Sequence, residues 1–140
     1  MIIWIASYPK SGNTWVRSFL TAYYFCENGI FDINKLNLIE DYPNKQFFKE
    51  KVKQGEIHKH WETSQKDIRD QKKVKFLKTH NSLITAFGND FTKPEYTLGV
   101  IYVIRDPRNV ITSVKNHNDL DSYDEALKFM QDENKVLEDY

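Results

Sequence analysis

The chain has 140 residues, enough for one domain with a hydrophobic core, and 40% are hydrophobic, 14% aromatic and 29% charged. This composition excludes a collagen-like or largely disordered chain. Because 20 basic residues balance 20 acidic ones, we expect no nucleic-acid or membrane partner drawn by an overall field.

The cysteine content and the start of the chain bear on its compartment. Cys26 is the only cysteine, so no disulfide can form within the chain, and a reducing compartment is expected. The apolar start, Ile2 to Ala6, is too short for a signal peptide or a membrane span. We therefore expect a cytoplasmic protein with a single domain over residues 1–140, and its oligomeric state stays open.

The first predicted elements are a strand, a turn and a helix. Ile2 to Ile5 form a continuous apolar run, which is typical of a strand buried on both faces of a parallel sheet. The turn "SYPKSGNTW", residues 7–15, leads into a helix that is predicted to end near Gly29. Apolar residues at three- and four-residue spacing predict the face that this helix lays on the sheet: Trp15, Val16, Phe19, Leu20 and Tyr23.

The middle of the chain has a weaker pattern. From Phe31 to Lys72, short apolar patches alternate with polar residues, which predicts two or so helices joined by loops. Val74 to Leu77 predict a short strand that leads into Lys78, Thr79 and His80. A turn-rich segment follows this strand.

The last third of the chain gives clearer signals. Thr97 to Ile104 predict a strand, and Asp106 is expected to cap a helix that has Pro107 at its first position. The apolar side of this helix is predicted to consist of Val110, Ile111 and Val114. A final helix is predicted over Tyr123 to Tyr140, with the chain expected to stop inside or just after it. One face of this final helix is predicted to carry Ala126, Leu127, Met130 and Leu137.

The recurring order of strand, loop and helix predicts an α/β fold with a mostly parallel sheet, in which ligands bind at the carboxyl ends of the strands. At the first such end, free N–H groups that begin the helix favour an anion, and Lys10 adds a positive charge. Ser11 and Thr14 can donate hydrogen bonds to its oxygens, and Gly12 permits close approach of the backbone. The glycine spacing of the triphosphate loop is absent. This stretch therefore predicts a phosphate or sulfate site, with an ordinary βα turn as the alternative.

A second strand end carries Arg105, whose guanidinium suits a phosphate monoester. Ser113, eight residues on, would lie about two turns along the helix. The alternatives are a local ion pair of Arg105 with Asp106 and a serine that only contacts solvent.

A third strand end carries His80 beside Lys78. A histidine can accept a proton from a hydroxyl at neutral pH, and a lysine can stabilise a departing oxyanion. The alternative is a surface or capping histidine. His58 and His60 lack partners at metal-ligand spacing, so no metal site is expected.

Together, three stretches resemble the sulfotransferase family that uses 3′-phosphoadenosine 5′-phosphosulfate (PAPS). "YPKSGNTW" resembles its 5′-phosphosulfate loop, "FLKTH" its catalytic-histidine segment and "YVIRDPRNVITS" its 3′-phosphate segment, in the family's order. The resemblance implies a P-loop-like, three-layer fold that is truncated to the N-terminal half of the family's length. It also implies sulfuryl transfer to a hydroxyl or amine of a small-molecule or glycan acceptor, with no metal.

The resemblance assigns a role to each matching residue. The 5′-phosphosulfate would be held by Lys10, Ser11, Gly12, Asn13 and Thr14. Trp15 would stack on the adenine, while Arg105 and Ser113 would hold the 3′-phosphate. His80 would be the general base, and Lys10 and Lys78 would offset charge on the bridging oxygen.

The sequence departs from the family's pattern at several points. Asn13 stands where many members have Thr, and Asn81 follows the histidine in a segment where Pro is common. The Arg-Lys-Gly segment that closes over the nucleotide in the family has no counterpart after Ser113. A catalytically inactive remnant that binds PAPS or its desulfated product therefore stays open as an alternative, with a P-loop nucleotide kinase as a lesser one.

Overall fold

The computed structural model describes residues 1–49, 51–53 and 55–132. Its strands are β1 (Ile2–Ser7), β2 (Glu40–Asp41), β3 (Lys75–Thr79), β4 (Thr85–Ala86), β5 (Asn89–Asp90) and β6 (Thr97–Val103). Its α-helices are α1 (Asn13–Phe25), α2 (Trp61–Asp70), α3 (Pro107–His117) and α4 (Tyr123–Gln131). Short 3₁₀ turns lie at Glu27–Gly29, Ile33–Leu38, Lys45–Phe47 and Ile57–His60.

Four strands form a parallel sheet in the order β2-β3-β1-β6, and β4 pairs with β5 in a separate antiparallel hairpin. β1 lies inside the sheet, where Ile2 and Ile5 are fully buried, so the prediction of a strand buried on both faces is confirmed. Ala6 pairs with Thr79, and Ser7 pairs with Val103. The loops that follow β1, β3 and β6 therefore begin at one edge of the sheet.

Helices flank both faces of this sheet. On one face, Ile2 and Trp4 of β1 share a buried cluster with Trp61 and Ile68 of α2. On the other face, α1 lies against β3, because the rings of Tyr24 and Phe76 are 5.2 Å apart between centroids. The mixed α/β fold with a mostly parallel central sheet flanked by helices is confirmed.

The predicted sheet-facing side of α1 is wrong for its three aromatic residues. The side chains of Trp15, Phe19 and Tyr23 are 83%, 69% and 70% exposed, while Val16 and Leu20 are half-buried. The buried residues of the helix are polar: Asn13, Arg17 and Thr21. The first two of these reach backbone carbonyls of neighbouring segments, which offsets part of the cost of burying them. The helix also ends at Phe25, four residues before the predicted end at Gly29.

Between Phe31 and Lys72, the residues that the structure describes form one α-helix, α2, and a short strand, β2, that the sequence did not predict. α2 has few apolar residues, and buried polar contacts hold it together with the packing of Trp61 and Ile68. The Tyr42 hydroxyl bonds the hydroxyl of Ser64 at 2.7 Å, and Gln65 donates to the carbonyl of Phe91. Burial raises the pKa of Tyr42 to about 12, so its hydroxyl remains a donor.

The later elements follow their predictions closely. β3 begins at Lys75 and ends at Thr79, so Lys78 and Thr79 belong to the strand rather than to the following loop. Asp106 caps α3 by accepting a bond from the backbone N–H of Arg108 at 2.9 Å. The buried residues of α3 include Val110 and Val114, as predicted.

The last helix matches its prediction in part. Of the predicted apolar face, Ala126 is buried and Met130 packs against the same cluster, whereas Leu127 is 44% exposed. Leu137 lies outside the described residues, as do the other residues from 133 to 140. In the described part of the chain, no helix combines the length and apolar character needed to cross a membrane.

Candidate functional site

A cleft of about 530 Å³ lies at the carboxyl ends of β1, β3 and β6. Its volume is within the range of roughly 300–1,000 Å³ that small-molecule sites usually have. The cleft is lined by the following predicted site residues: Lys10, Gly12, Asn13, Thr14, Trp15, Lys78, His80, Arg105 and Ser113. Ser11 instead lines an adjoining hollow of about 200 Å³, together with Tyr8 and Arg105.

The loop between β1 and α1 forms the floor of this cleft. Lys10 and Gly12 both have left-handed backbone conformations, with φ of 66° and 103°. The Gly12 carbonyl accepts bonds from the N–H groups of Trp15 and Val16, so regular helical bonding starts there. The earlier N–H groups of the helix have no acceptor within it and are suited to an anion.

His80 is held by the end of β1. Its Nδ1 lies 2.7 Å from the carbonyl oxygen of Ser7 and 3.2 Å from the hydroxyl of the same residue. Because a carbonyl oxygen only accepts, Nδ1 carries the proton and donates to it. The neutral ring then has its lone pair on Nε2, as a general base requires.

Lys78 is held by the outer strand β2. Its side chain is 13% exposed, and its Nζ lies 3.6 Å from Oδ2 of Asp41. The other carboxylate oxygen of Asp41 lies 3.2 Å from Nη1 of Arg17, a residue that also donates to the carbonyl of Ile39 at 2.6 Å. Asp41 therefore links two cationic side chains near the same end of the sheet.

Arg105 is exposed and connects the end of β6 to the β1–α1 loop. Its Nη1 donates to the carbonyl of Lys10 at 3.1 Å. Asp106 pairs instead with Arg108, at 2.6 Å, and these bonds hold the pKa of the Asp106 carboxyl below its usual value. The alternative of a local ion pair between Arg105 and Asp106 is therefore wrong, because each of the two side chains bonds a different partner.

The lining of the cleft is basic. It includes Lys10, Arg17, Lys78 and Arg105, and no Asp or Glu is among the described residues that line it. Burial raises the pKa of Tyr8, so its hydroxyl also stays available as a donor. This arrangement favours a ligand with several negative charges.

Several residues around the cleft were not predicted. Arg17 lies one helical turn after Asn13, and His117 one turn after Ser113, and both line the cleft. That spacing could have indicated them. Nothing in the sequence indicated Ser7 or Asp41, because both act through neighbours that are distant in the chain.

The remaining histidine pair, His58 and His60, does not line this cleft. Among residues 1–49, 51–53 and 55–132, no group of three or more His, Cys, Asp or Glu could hold a metal ion. His58 instead has ring contacts with Trp61 and Phe87.

A family model described as "Sulfotransferase domain" matches residues 2–140. No curated protein matches the chain.

Proposed function

The chain belongs to the sulfotransferase domain family, and on that premise we propose that it transfers a sulfuryl group from PAPS to a hydroxyl or amine acceptor. The acceptor would be a small molecule or a glycan. The observation that most supports this function is the meeting of a histidine and three cationic side chains in one cleft: His80, Lys10, Lys78 and Arg105.

The residues of the cleft fit the chemistry of this donor. Lys10, the hydroxyl of Thr14 and the first N–H groups of α1 would hold the 5′-phosphosulfate. Arg105 and Ser113, on the β6 side, would hold the 3′-phosphate that distinguishes PAPS from ATP. Trp15 is 83% exposed at the mouth of the cleft and would offer its ring to the adenine.

PAPS supplies the sulfuryl group, and His80 would prepare the acceptor. Nε2 would take the proton as the acceptor oxygen or nitrogen forms its bond to sulfur. Since Nδ1 donates to the Ser7 carbonyl, the resulting imidazolium keeps that bond and gains from it.

The bond from sulfur to the bridging oxygen breaks as the new bond forms, and its electron pair leaves with the 5′-phosphate. Lys10 and Lys78 would stabilise the negative charge that develops on this oxygen. The products are the sulfated acceptor and 3′-phosphoadenosine 5′-phosphate (PAP). We propose that these cations make a metal ion unnecessary, so transfer should persist in the presence of a chelator.

The function is tested by nucleotide preference and transfer together. Thermal unfolding is measured with PAP, with adenosine 5′-phosphate and with ATP plus Mg²⁺, and radiolabelled sulfate transfer from PAPS is measured with a panel of phenols, alcohols, amines and glycans. We expect PAP to raise the midpoint most and at least one acceptor class to be labelled. A larger shift with ATP and Mg²⁺ would support the nucleotide kinase instead.

Binding without catalysis is the second candidate. The exposure of Trp15 and Arg105 favours it, because the described residues leave the adenine and 3′-phosphate side of the cleft open. It predicts a thermal shift with PAP but no labelled product with any acceptor class.

A further inference from the structure

We infer that Asn13 is a positioning residue that holds His80 through Ser7, and that its side chain does not bind the sulfate donor. The inference rests on the proposed function, because it concerns the base of the proposed reaction. It assigns a different task to a residue whose position in the loop alone would make it a ligand.

The hydrogen bonds of the Asn13 amide exclude it as a donor to an anion. Its Nδ2 carries two hydrogens, and it donates to the Ile5 carbonyl at 3.0 Å and to the Ser7 hydroxyl at 3.1 Å. The amide cannot be reversed, because the Ile5 carbonyl only accepts. No side-chain hydrogen of Asn13 is left for a sulfate oxygen.

The remaining atom of this amide is also unsuited to the donor. Oδ1 of Asn13 is buried and has no hydrogen-bond partner among the described residues. It is an acceptor, so it would repel the oxygens of a phosphosulfate rather than bind them. Only the backbone N–H of Asn13 can serve an anion at the start of α1.

The two hydrogen bonds donated by the Asn13 side chain fix the end of β1. They join the first residue of α1 to Ile5 and Ser7, and Ser7 contacts His80 with both its carbonyl and its hydroxyl. The carbonyl selects the Nδ1–H tautomer of the ring. The hydroxyl can also donate, and a bond from it to Nδ1 would support the opposite tautomer, whose Nε2 cannot accept a proton.

We expect Asn13→Ala to release Ser7 and to let the ring of His80 exchange between its two tautomers. The direct readout is ¹⁵N NMR of the imidazole nitrogens in the protein without ligand, with the His80 signals assigned by their loss in His80→Ala. In the wild type, the two nitrogens should have well-separated shifts. In Asn13→Ala the shifts should move toward each other.

Two further measurements separate positioning from ligand binding. Misplacement of a catalytic group by about 1 Å can cost 100-fold in rate, so kcat should fall about 10- to 100-fold in Asn13→Ala. The Kd for PAP should change by less than about twofold, because no bond to the ligand is lost, whereas losing a charge-assisted bond weakens binding about tenfold or more. Asn34→Ala, at an exposed asparagine whose side chain donates to Asp32, is the matched control and should leave all three readouts unchanged.

Ser7→Ala and the double variant complete the test. Ser7→Ala keeps the carbonyl contact and the bond of Asn13 to Ile5, so it should fold even where Asn13→Ala does not. If Asn13 acts through Ser7, the double variant should lose no more kcat than the more affected single variant. If the kcat losses of the two single variants multiply in the double variant, the two residues act independently and the inference is contradicted.

The outcomes distinguish this inference from the proposed function. Unchanged His80 shifts with a Kd for PAP weakened about tenfold would make Asn13 a ligand and overturn the inference. If the His80 shifts move in Asn13→Ala but the wild-type protein transfers no sulfuryl group, the positioning role is supported and the proposed function fails.

Discussion

The two sides of the cleft differ in how the chain holds their side chains. On the base side (Ser7, Asn13, Lys78 and His80), side chains are buried or half-buried and bonded to β1 or to Asp41. On the nucleotide side (Trp15, Arg105 and Ser113), the indole is 83% exposed and Arg105 has its bond to the loop carbonyl of Lys10. The groups proposed for catalysis are therefore ordered by the chain itself, whereas Trp15 and Arg105, proposed for nucleotide binding, are more open to solvent. Substitutions on the base side should change rate, and those on the nucleotide side should change affinity.

The largest effect is expected from His80→Ala. Removal of a general base typically costs about 10²- to 10⁴-fold in kcat, and the Kd for PAP should change by less than about twofold. Steady-state transfer and isothermal titration with PAP measure the two quantities. His58→Ala, whose ring does not line the cleft, is the control. Full turnover in His80→Ala would remove the histidine from the reaction.

The opposite pattern is expected from Arg105→Ala. Loss of a charge-assisted bond to the 3′-phosphate should weaken PAP binding about 10- to 100-fold, with kcat at saturating donor little changed. Adenosine 5′-phosphosulfate, which lacks the 3′-phosphate, should bind the variant and the wild type equally. Arg108→Ala controls for loss of a nearby exposed guanidinium. An equal loss with both nucleotides would mean that Arg105 does not distinguish the 3′-phosphate.

A smaller effect should follow from Asp41→Asn, on the base side. The amide keeps the shape of the side chain but no longer attracts Lys78 and Arg17 by charge. Because Asp41 is partly exposed, we expect kcat to fall only about two- to fivefold. Affinity for PAP should not fall, since the cleft becomes more positive. Asp67→Asn, which alters an ion pair with Lys49, is the matched control, and a weaker PAP complex in Asp41→Asn would contradict the assignment.

The smallest effect concerns Asp106, which caps α3 on the nucleotide side. Its folded pKa lies below the ordinary 3.8 because of Arg108, so its charge stabilises the fold above pH 3.8. That contribution is lost as pH falls through the lower, folded pKa. Asp106→Asn keeps the capping oxygen but not the charge, so it should unfold at a slightly lower temperature near neutral pH. The two midpoints should converge in acid, and a constant difference across the acid range would contradict the prediction.

Elements with strong local signals were predictable. The apolar run of β1, the strand at Thr97 and the Asp-Pro start of α3 depend on residues that are neighbours in the chain. β2 was missed because two residues give no period. The bounds of α2 could not be predicted, because contacts of Ser64 and Gln65 with Tyr42 add to a small apolar face of Trp61 and Ile68.

The direction in which α1 faces could not be read from its pattern. Its stripe of aromatic residues predicted the face that packs on the sheet. Asn13 and Arg17 are buried instead, because they donate hydrogen bonds to carbonyls on β1 and next to β2. Burial of these two side chains depends on partners that are close only in the folded chain. The same contacts position the base side of the candidate site.

The sequence by itself determined that three strand ends carry an anion loop, a lysine–histidine pair and an arginine, because each motif is local and each follows a strand. It also determined that they would meet, since parallel strands bring their carboxyl ends to one edge. Only the tertiary structure decided which atoms contact one another: the carbonyl of Ser7 on Nδ1 of His80, and Asp41 between Lys78 and Arg17. The physical reason is that hydrogen bonds and ion pairs act over a few ångströms but here join groups that are tens of residues apart in the chain. The residue pattern of one segment does not identify the segment that it will contact.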